Sequence, residues 1–153
     1  MGEHSDWVYR EVVEDTLPWS EAKEYSFQQF SEKYTLHDSV WIGLFYDVAY
    51  ENNIIMAIIW DAVWLPDEIA QSTSIVAEWP LLFVKIENVS QVSTSGYKDI
   101  EGLQRGIGTA EIEEVDGTHL LVISDHYGGN VEISFAGKLK FLATDRNRKV
   151  LPI

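Results

Sequence analysis

Apolar residues first recur at near-helical spacing in a segment close to the N-terminus, with polar residues between them. The spacing predicts an amphipathic helix over residues 20–33, for which Ser20 is a suitable N-cap. Thr16 is the alternative N-cap, with Pro18 then inside the first turn. Residues 1–18 are expected to form an extended or partly ordered arm. The apolar side of this helix would hold Trp19, Ala22, Phe27, Phe30 and Tyr34.

From residue 40 the apolar pattern changes to alternation with a period of two, which is typical of a strand. A second apolar run, residues 54–60, is rich in β-branched residues and predicts another strand. Asn52 and Asn53 lie between the two runs and predict the turn of a hairpin. Residues 62–80 are less regular and predict a loop with about one helical turn. One face of the first strand would hold Val40, Ile42, Leu44, Tyr46 and Val48, and the other Trp41 and Phe45.

The second half of the chain contains the strongest hairpin signal. Asp116-Gly117 stands between two β-rich runs, and this dipeptide is favoured in tight hairpin turns. The two runs are expected to form strands at residues 109–115 and 118–124. Further strands are expected at residues 81–89 and 130–135, with a short last strand at 139–143. The intervening residues 90–108 predict a long polar connection.

These elements predict an α+β protein that is mainly β. We expect one N-terminal amphipathic helix packed on a strongly curved, six- to seven-stranded antiparallel meander, which could close into a barrel-like form. The chain has 153 residues without internal repeats, and a length of this size is typical of one domain, so residues 1–153 are expected to fold as a single unit.

Composition narrows the compartment and the partners. The chain has no cysteine, which excludes a disulfide framework and a thiolate nucleophile and favours a cytoplasmic location. The net charge is −14, and residues 1–77 hold 14 acidic but only 3 basic residues. Such a charge repels nucleic acid and anionic membranes and attracts basic proteins. The predicted partner is therefore a basic protein, and the oligomeric state is left open.

Two histidine–aspartate pairs are the main candidates for chemistry. His37 and Asp38 precede the first predicted strand, while Asp125 and His126 end a later one. If these strand ends met, two imidazoles and two carboxylates could bind zinc, manganese or iron in a metal-dependent hydrolase. The spacing by itself does not require a metal, and no other motif calls for a cofactor. We therefore predict no metal site and favour His37, Asp38 and Ser39 as a connector from helix to strand whose side chains satisfy local backbone groups.

Aromatic residues around the irregular 62–80 segment are candidates for an interface. Trp64, Leu65 and Trp79 flank this segment, and exposed tryptophans often anchor protein–protein interfaces. Packing under a loop is the alternative for the same side chains.

The string Leu36-His37-Asp38-Ser39, followed by two apolar strands and then by the strand at 81–89, resembles a pattern found in small uncharacterised bacterial β-rich domains. Some of these domains are immunity proteins of toxin systems. The resemblance covers about a third of the chain and implies an inhibitor that binds another protein, with no catalytic residues. Three hypotheses follow: a cytosolic protein-binding domain of the immunity type, a hydrolase that uses the His-Asp pairs, and a structural or oligomer-forming domain.

Overall fold

The computed structural model of the chain describes residues 6–46, 52–70, 78–95, 106–126 and 128–153. Strand accounts for 48% and helix for 19%, which confirms a mainly β protein. The described helices are α1 (Trp7–Val13), α2 (Phe27–Lys33) and α3 (Asp67–Ala70), with 3₁₀ turns at Trp19–Glu21 and Ala62–Trp64. The strands are β1 (Lys23–Glu24), β2 (Val40–Tyr46), β3 (Ile54–Ile59), β4 (Leu81–Ile86), β5 (Val89–Ser95), β6 (Ile107–Val115), β7 (Thr118–Asp125), β8 (Asn130–Phe135) and β9 (Leu139–Thr144).

The strands form two antiparallel sheets. Sheet I has five strands in the order β1-β9-β4-β3-β2, and sheet II has four in the order β5-β8-β7-β6. Within the described ranges the sheets do not close into a barrel, and the nine strands exceed the six or seven expected. The strand β9, expected as a short addition at the end, instead pairs with both β1 and β4 inside sheet I.

The central strands of sheet I, β3, β4 and β9, are buried on both faces, which explains why the chain forms layers. Alternate residues of β3 point to opposite sides, so that Met56 and Ile58 enter an inner core and Ile55 and Ala57 an outer core. Sheet II and α2 cover the inner side, and α1 covers the outer side. A strand that is apolar on both faces needs a layer on each side, and a single curved meander would supply only one.

The helical predictions for the N-terminal segment were partly wrong. The helix α2 begins at Phe27 rather than near residue 20, because Ser26 accepts a hydrogen bond from the Gln29 backbone and the Gln29 side chain accepts one from the Ser26 backbone. This capping box is a stronger start signal than Ser20. The 3₁₀ turn Trp19–Glu21 and the short β1 occupy the earlier part instead.

Residues 6–18, which we expected in an extended or partly ordered arm, contain α1. Val8 and Val12 of α1 are fully buried in the outer core. The C-terminal segment also holds this helix, because the Trp7 indole N–H donates to the Arg146 carbonyl at 2.9 Å. The helix therefore belongs to the packed layers.

The hairpin β2–β3 is confirmed, but the alternation in β2 is interrupted. A β-bulge between Trp41 and Gly43 shifts the register of the pair. As a result Leu44 joins Trp41 at the inner core, whereas Phe45 packs at the outer core with Ile42. The predicted face of Val40, Ile42, Leu44 and Tyr46 is therefore split, and Val48 lies outside the described residues.

The hairpin β6–β7 is also confirmed, with Asp116 and Gly117 both at positive φ, 51° and 80°. Both central residues of a tight hairpin turn need this conformation, which glycine adopts without strain. The predicted polar connection 90–108 was wrong in part, because Val89–Ser95 forms β5 and pairs with β8. Its polar residues alternate with Val92, which packs on the inner core.

None of the described helices is both long and apolar enough to cross a membrane.

Candidate functional site

Three of the four histidine and aspartate candidates meet at one place, where β2 and β6 begin and β7 ends. The Asp38 carboxylate lies between two imidazoles: Oδ2 is 3.4 Å from His37 Nε2, and Oδ1 is 3.2 Å from His126 Nε2. The two imidazole rings stand edge to face, with centroids 5.7 Å apart. All three side chains are about 45% exposed, so a partner molecule can reach them.

A second hydrogen bond holds the His37 ring in place. His37 Nδ1 lies 2.7 Å from the Gly108 carbonyl oxygen, which can only accept, so Nδ1 donates this bond. The other ring nitrogen, Nε2, therefore faces Asp38. The Asp38 carboxylate thus has an imidazole nitrogen near each of its two oxygens and stays open to solvent.

The backbone fixes Asp38 in this position. Asp38 has a φ of 65°, a left-handed conformation that aspartate tolerates better than most residues. Its N–H donates to the Ile107 carbonyl, and the Ile107 N–H donates to the Ser39 carbonyl, both at 2.8 Å. An isolated bridge between Val40 and Gly106 continues this link. The start of β2 is therefore joined to the start of β6, and the two sheets meet here.

A buried polar contact ties Trp64 to the same place. Ser39 is fully buried, and its hydroxyl accepts from the Asp61 N–H at 2.9 Å. Asp61 is 4% exposed, and its carboxylate accepts from the Val63 N–H and so caps the 3₁₀ turn that carries Trp64. The Trp64 ring lies 5.9 Å from the His37 ring. We call this surface the Trp64 corner; it consists of His37, Asp38, Val63, Trp64 and His126.

Val63 and Trp64 are the apolar part of the corner. Their exposed fractions are 73% and 49%, large values for apolar side chains in a turn that is held by hydrogen bonds. Val63 was not predicted, because it carries no sequence signal beyond its position next to Trp64. The role of Gly108 was not predicted either: a Cβ at this position would lie only 3.1 Å from the Asp125 carbonyl oxygen and 3.3 Å from His126 Nδ1. Glycine allows β6 and the end of β7 to approach closely there.

The fourth candidate, Asp125, has another role. Its carboxylate accepts from the Gly129 N–H at 3.0 Å, and its backbone N–H donates to the Gly129 carbonyl. It therefore stabilises the connection between β7 and β8. Across the described ranges, no group of three or more His, Cys, Asp or Glu residues is arranged to hold a metal ion. Ser39 is fully buried, and its hydroxyl accepts a hydrogen bond from the Asp61 N–H, so this hydroxyl is not accessible to a substrate.

The other interface candidates are not part of the corner. Leu65 is only 8% exposed and packs in the inner core. Trp79 is half-buried against the outer core, on the opposite side of sheet I, and its carbonyl accepts from Arg146 Nε at 2.6 Å. Of the three residues, Trp64 alone combines large exposure with contact to the His-Asp group.

Two concavities of the described residues lie away from the corner. A cleft of about 230 Å³ lies between α2 and sheet II and is lined by residues that include Phe27, His119 and Phe135. An open groove of about 340 Å³ lies beside Tyr46 and Gln91. Ligand pockets usually have volumes of about 300–1,000 Å³, so the cleft lies below this range and the groove lies at its lower end.

Comparison with known proteins adds no relative from which a function could be transferred. No protein-family model matches the chain, and neither a search of curated proteins nor a search of solved structures returned a match. The function is therefore inferred from the residues of the site itself.

Proposed function

We propose that this chain is a protein-binding domain whose partner is a basic protein, and that the Trp64 corner anchors the interface. The observation that carries this proposal is the pair of exposed apolar side chains, Val63 and Trp64, on a turn held by the buried contact between Ser39 and Asp61. A rigid, exposed tryptophan can lose its remaining water contacts on binding at little cost in conformational entropy.

Charge supports a basic partner. The net charge is −14, and the Asp38 carboxylate lies within the corner itself. Opposite charges accelerate association and suppress wrong partners, while the desolvated tryptophan supplies most of the affinity. An immunity-type inhibitor of a basic toxin is the specific form of this function that the resemblance around residues 36–39 suggests.

The test is affinity capture from cells that naturally produce the chain, followed by kinetics with the identified partner. We expect a basic protein whose association slows as salt rises. Trp64→Ala should weaken binding by about 2 kcal/mol, roughly 30-fold, mainly through faster dissociation. Tyr46→Ala is the matched control, because Tyr46 is 60% exposed at the far end of β2. A partner that binds both variants as tightly as the unchanged protein would refute the corner as the anchor.

The hydrolase hypothesis keeps one supporting observation, the meeting of His37, Asp38 and His126. It can be separated from protein binding by thermal unfolding with and without zinc or manganese, since a ligand that binds the folded state raises Tm. A metal-dependent rise that disappears in His37→Ala and His126→Ala but persists in His119→Ala would favour the hydrolase. His119 is a suitable control because it packs on Phe135, away from the corner.

A further inference from the structure

Among the described residues, no helix covers the outer face of sheet II in the way that α1 covers sheet I. The inner residues of β7 and β8, such as Leu121 and Ile133, are fully buried. Their neighbours Leu120 and Val122 alternate with them and are half-buried on the other face, while Glu111 and Glu113 of β6 are exposed.

Strand register gathers these residues into one surface. Val122 of β7 stands between Glu111 of β6 and Glu132 of β8, because it pairs with both. Leu120 pairs in the same way with Glu113 and with Ser134. Directly paired residues of antiparallel strands share a face. The surface therefore has two apolar side chains at its centre and glutamates on either side; we call it the acidic sheet face, and its residues are Glu111, Glu113, Leu120, Val122 and Glu132.

Positive charge is absent from the four strands of sheet II. None of β5, β6, β7 and β8 contains a lysine or an arginine, whereas the acidic residues in them number five. The five are Glu111, Glu113, Glu114, Asp125 and Glu132. Lys98 and Arg105, the basic residues nearest in sequence to β5 and β6, lie outside the described residues. On the outer face the charged residues of these strands are Glu111, Glu113 and Glu132, all acidic, and β5 contributes no charge.

We propose that the acidic sheet face docks a basic protein surface that presents lysine or arginine side chains around a small apolar centre. The proposal deepens the proposed function, on which it rests, by naming a second contact surface and the chemistry of the partner. Charge complementarity selects this occupant, since glutamates flank the apolar pair on two sides. A second copy of the chain would oppose glutamate to glutamate, and like charges at an interface are unfavourable. Nucleic acid and anionic lipid are repelled for the same reason.

The experiment titrates the whole protein with a defined probe, a soluble peptide of alternating lysine and valine, and follows the backbone amides by NMR at low salt. We expect shifts centred on Leu120, Val122 and Glu132. The triple variant Glu111→Lys, Glu113→Lys, Glu132→Lys should weaken binding of the probe by about tenfold or more, because repulsion replaces attraction. The matched control reverses three exposed acidic residues elsewhere, Glu14, Glu21 and Glu32, and changes the net charge equally; it should stay within about twofold.

Equal weakening by both triple variants would show that only net charge matters and would overturn the proposal, as would shifts centred away from sheet II. If the lysine variant does not fold, the triple Glu→Gln variant at the same positions preserves shape and removes the charge, and it should weaken the probe by about fivefold. Trp64→Ala distinguishes the two surfaces. If Trp64→Ala loses binding of the natural partner but still binds the probe, both proposals are supported. If binding of the probe depends on Trp64 and not on the glutamates, the proposal for the acidic sheet face is refuted, and only the Trp64 corner remains supported.

Discussion

At the scale of single residues, Phe30 connects α2 to sheet I. Its ring stacks on Phe141 of β9 with centroids 4.3 Å apart and planes at 6°, and it also lies 5.9 Å from Trp60. Tyr34, one turn further along, meets both Phe30 and Trp60. The Trp60 indole N–H donates to the Thr35 carbonyl at 2.8 Å, so the segment that leads from α2 to the corner is held on the same aromatic group.

Tyr34 should make stability depend on pH in alkaline solution. Burial raises the pKa of its hydroxyl above the ordinary value of 10.0, and the nearby Tyr25 and Glu68 raise it further. The folded chain therefore keeps this proton at a pH at which the unfolded chain has lost it. The resulting contribution to stability is complete below the unfolded pKa and is lost as pH rises through the folded pKa.

Urea unfolding at about pH 9 to 11 tests this dependence. We expect the free energy of unfolding to fall less steeply with pH in Tyr34→Phe than in the unchanged protein. Tyr46→Phe, at an exposed position, should follow the unchanged protein. Parallel curves for Tyr34→Phe and the unchanged protein would show that Tyr34 does not carry the effect.

At the scale of elements, α1 shows how a short helix depends on its docking surface. It has seven residues, and isolated helices shorter than about 12–15 residues are marginal in water. The Trp7 ring of this helix lies 6.1 Å from the Phe83 ring of β4. The Arg148 guanidinium lies 5.5 Å from the Trp7 ring. The helix is therefore stabilised by contacts with sheet I and with the C-terminal segment.

Two adjacent valines of α1 allow a direct test of this docking. Val12 is fully buried and Val13 is 65% exposed, so the same substitution removes the same atoms from opposite environments. Val12→Ala should lower the free energy of unfolding by about 2 kcal/mol, and Val13→Ala by less than about 0.5 kcal/mol. Chemical denaturation monitored by circular dichroism gives both values. Similar small effects for the two variants would mean that α1 does not dock as described.

At the scale of the whole molecule, the charge has two consequences with opposite effects. A net charge of −14 attracts basic partners, but it also destabilises the compact state through self-repulsion. The ion pairs of the described residues lie mostly at the surface, for example Lys138 with Glu24 and Lys140 with Glu87. Such pairs contribute little to stability, so screening them costs little.

Salt should therefore stabilise this protein. Screening lengths fall from about 30 Å at 0.01 M to about 3 Å at 1 M salt, which weakens the repulsion among the acidic residues. We expect the urea midpoint to rise when NaCl is raised from about 0.01 M to about 0.5 M. The variant with glutamine at positions 111, 113 and 132 should show a smaller rise. A midpoint that falls with salt in both proteins would show that attractive ion pairs dominate instead.

The sequence by itself determined what depends on neighbours along the chain. Alternation and β-branched residues predicted the hairpin β2–β3, and Asp116-Gly117 predicted β6–β7 together with its turn. The absence of cysteine and the excess of acidic residues are likewise properties of the sequence alone. Turn chemistry and strand period act over a few residues, so these signals do not need the rest of the fold.

Only the tertiary structure decided how these pieces are layered and which side chains meet. The sequence placed His37 and His126 at separate strand ends, and they share Asp38 only because the start of β2 is joined to the start of β6. Asp125 is adjacent to His126 in sequence but instead stabilises the connection between β7 and β8. The alternation of residues along β7 does not indicate this role. Pairings between distant strands are selected because they bury both faces of the central strands of sheet I. This burial exists only once the layers have assembled, so no local pattern in the sequence indicates it.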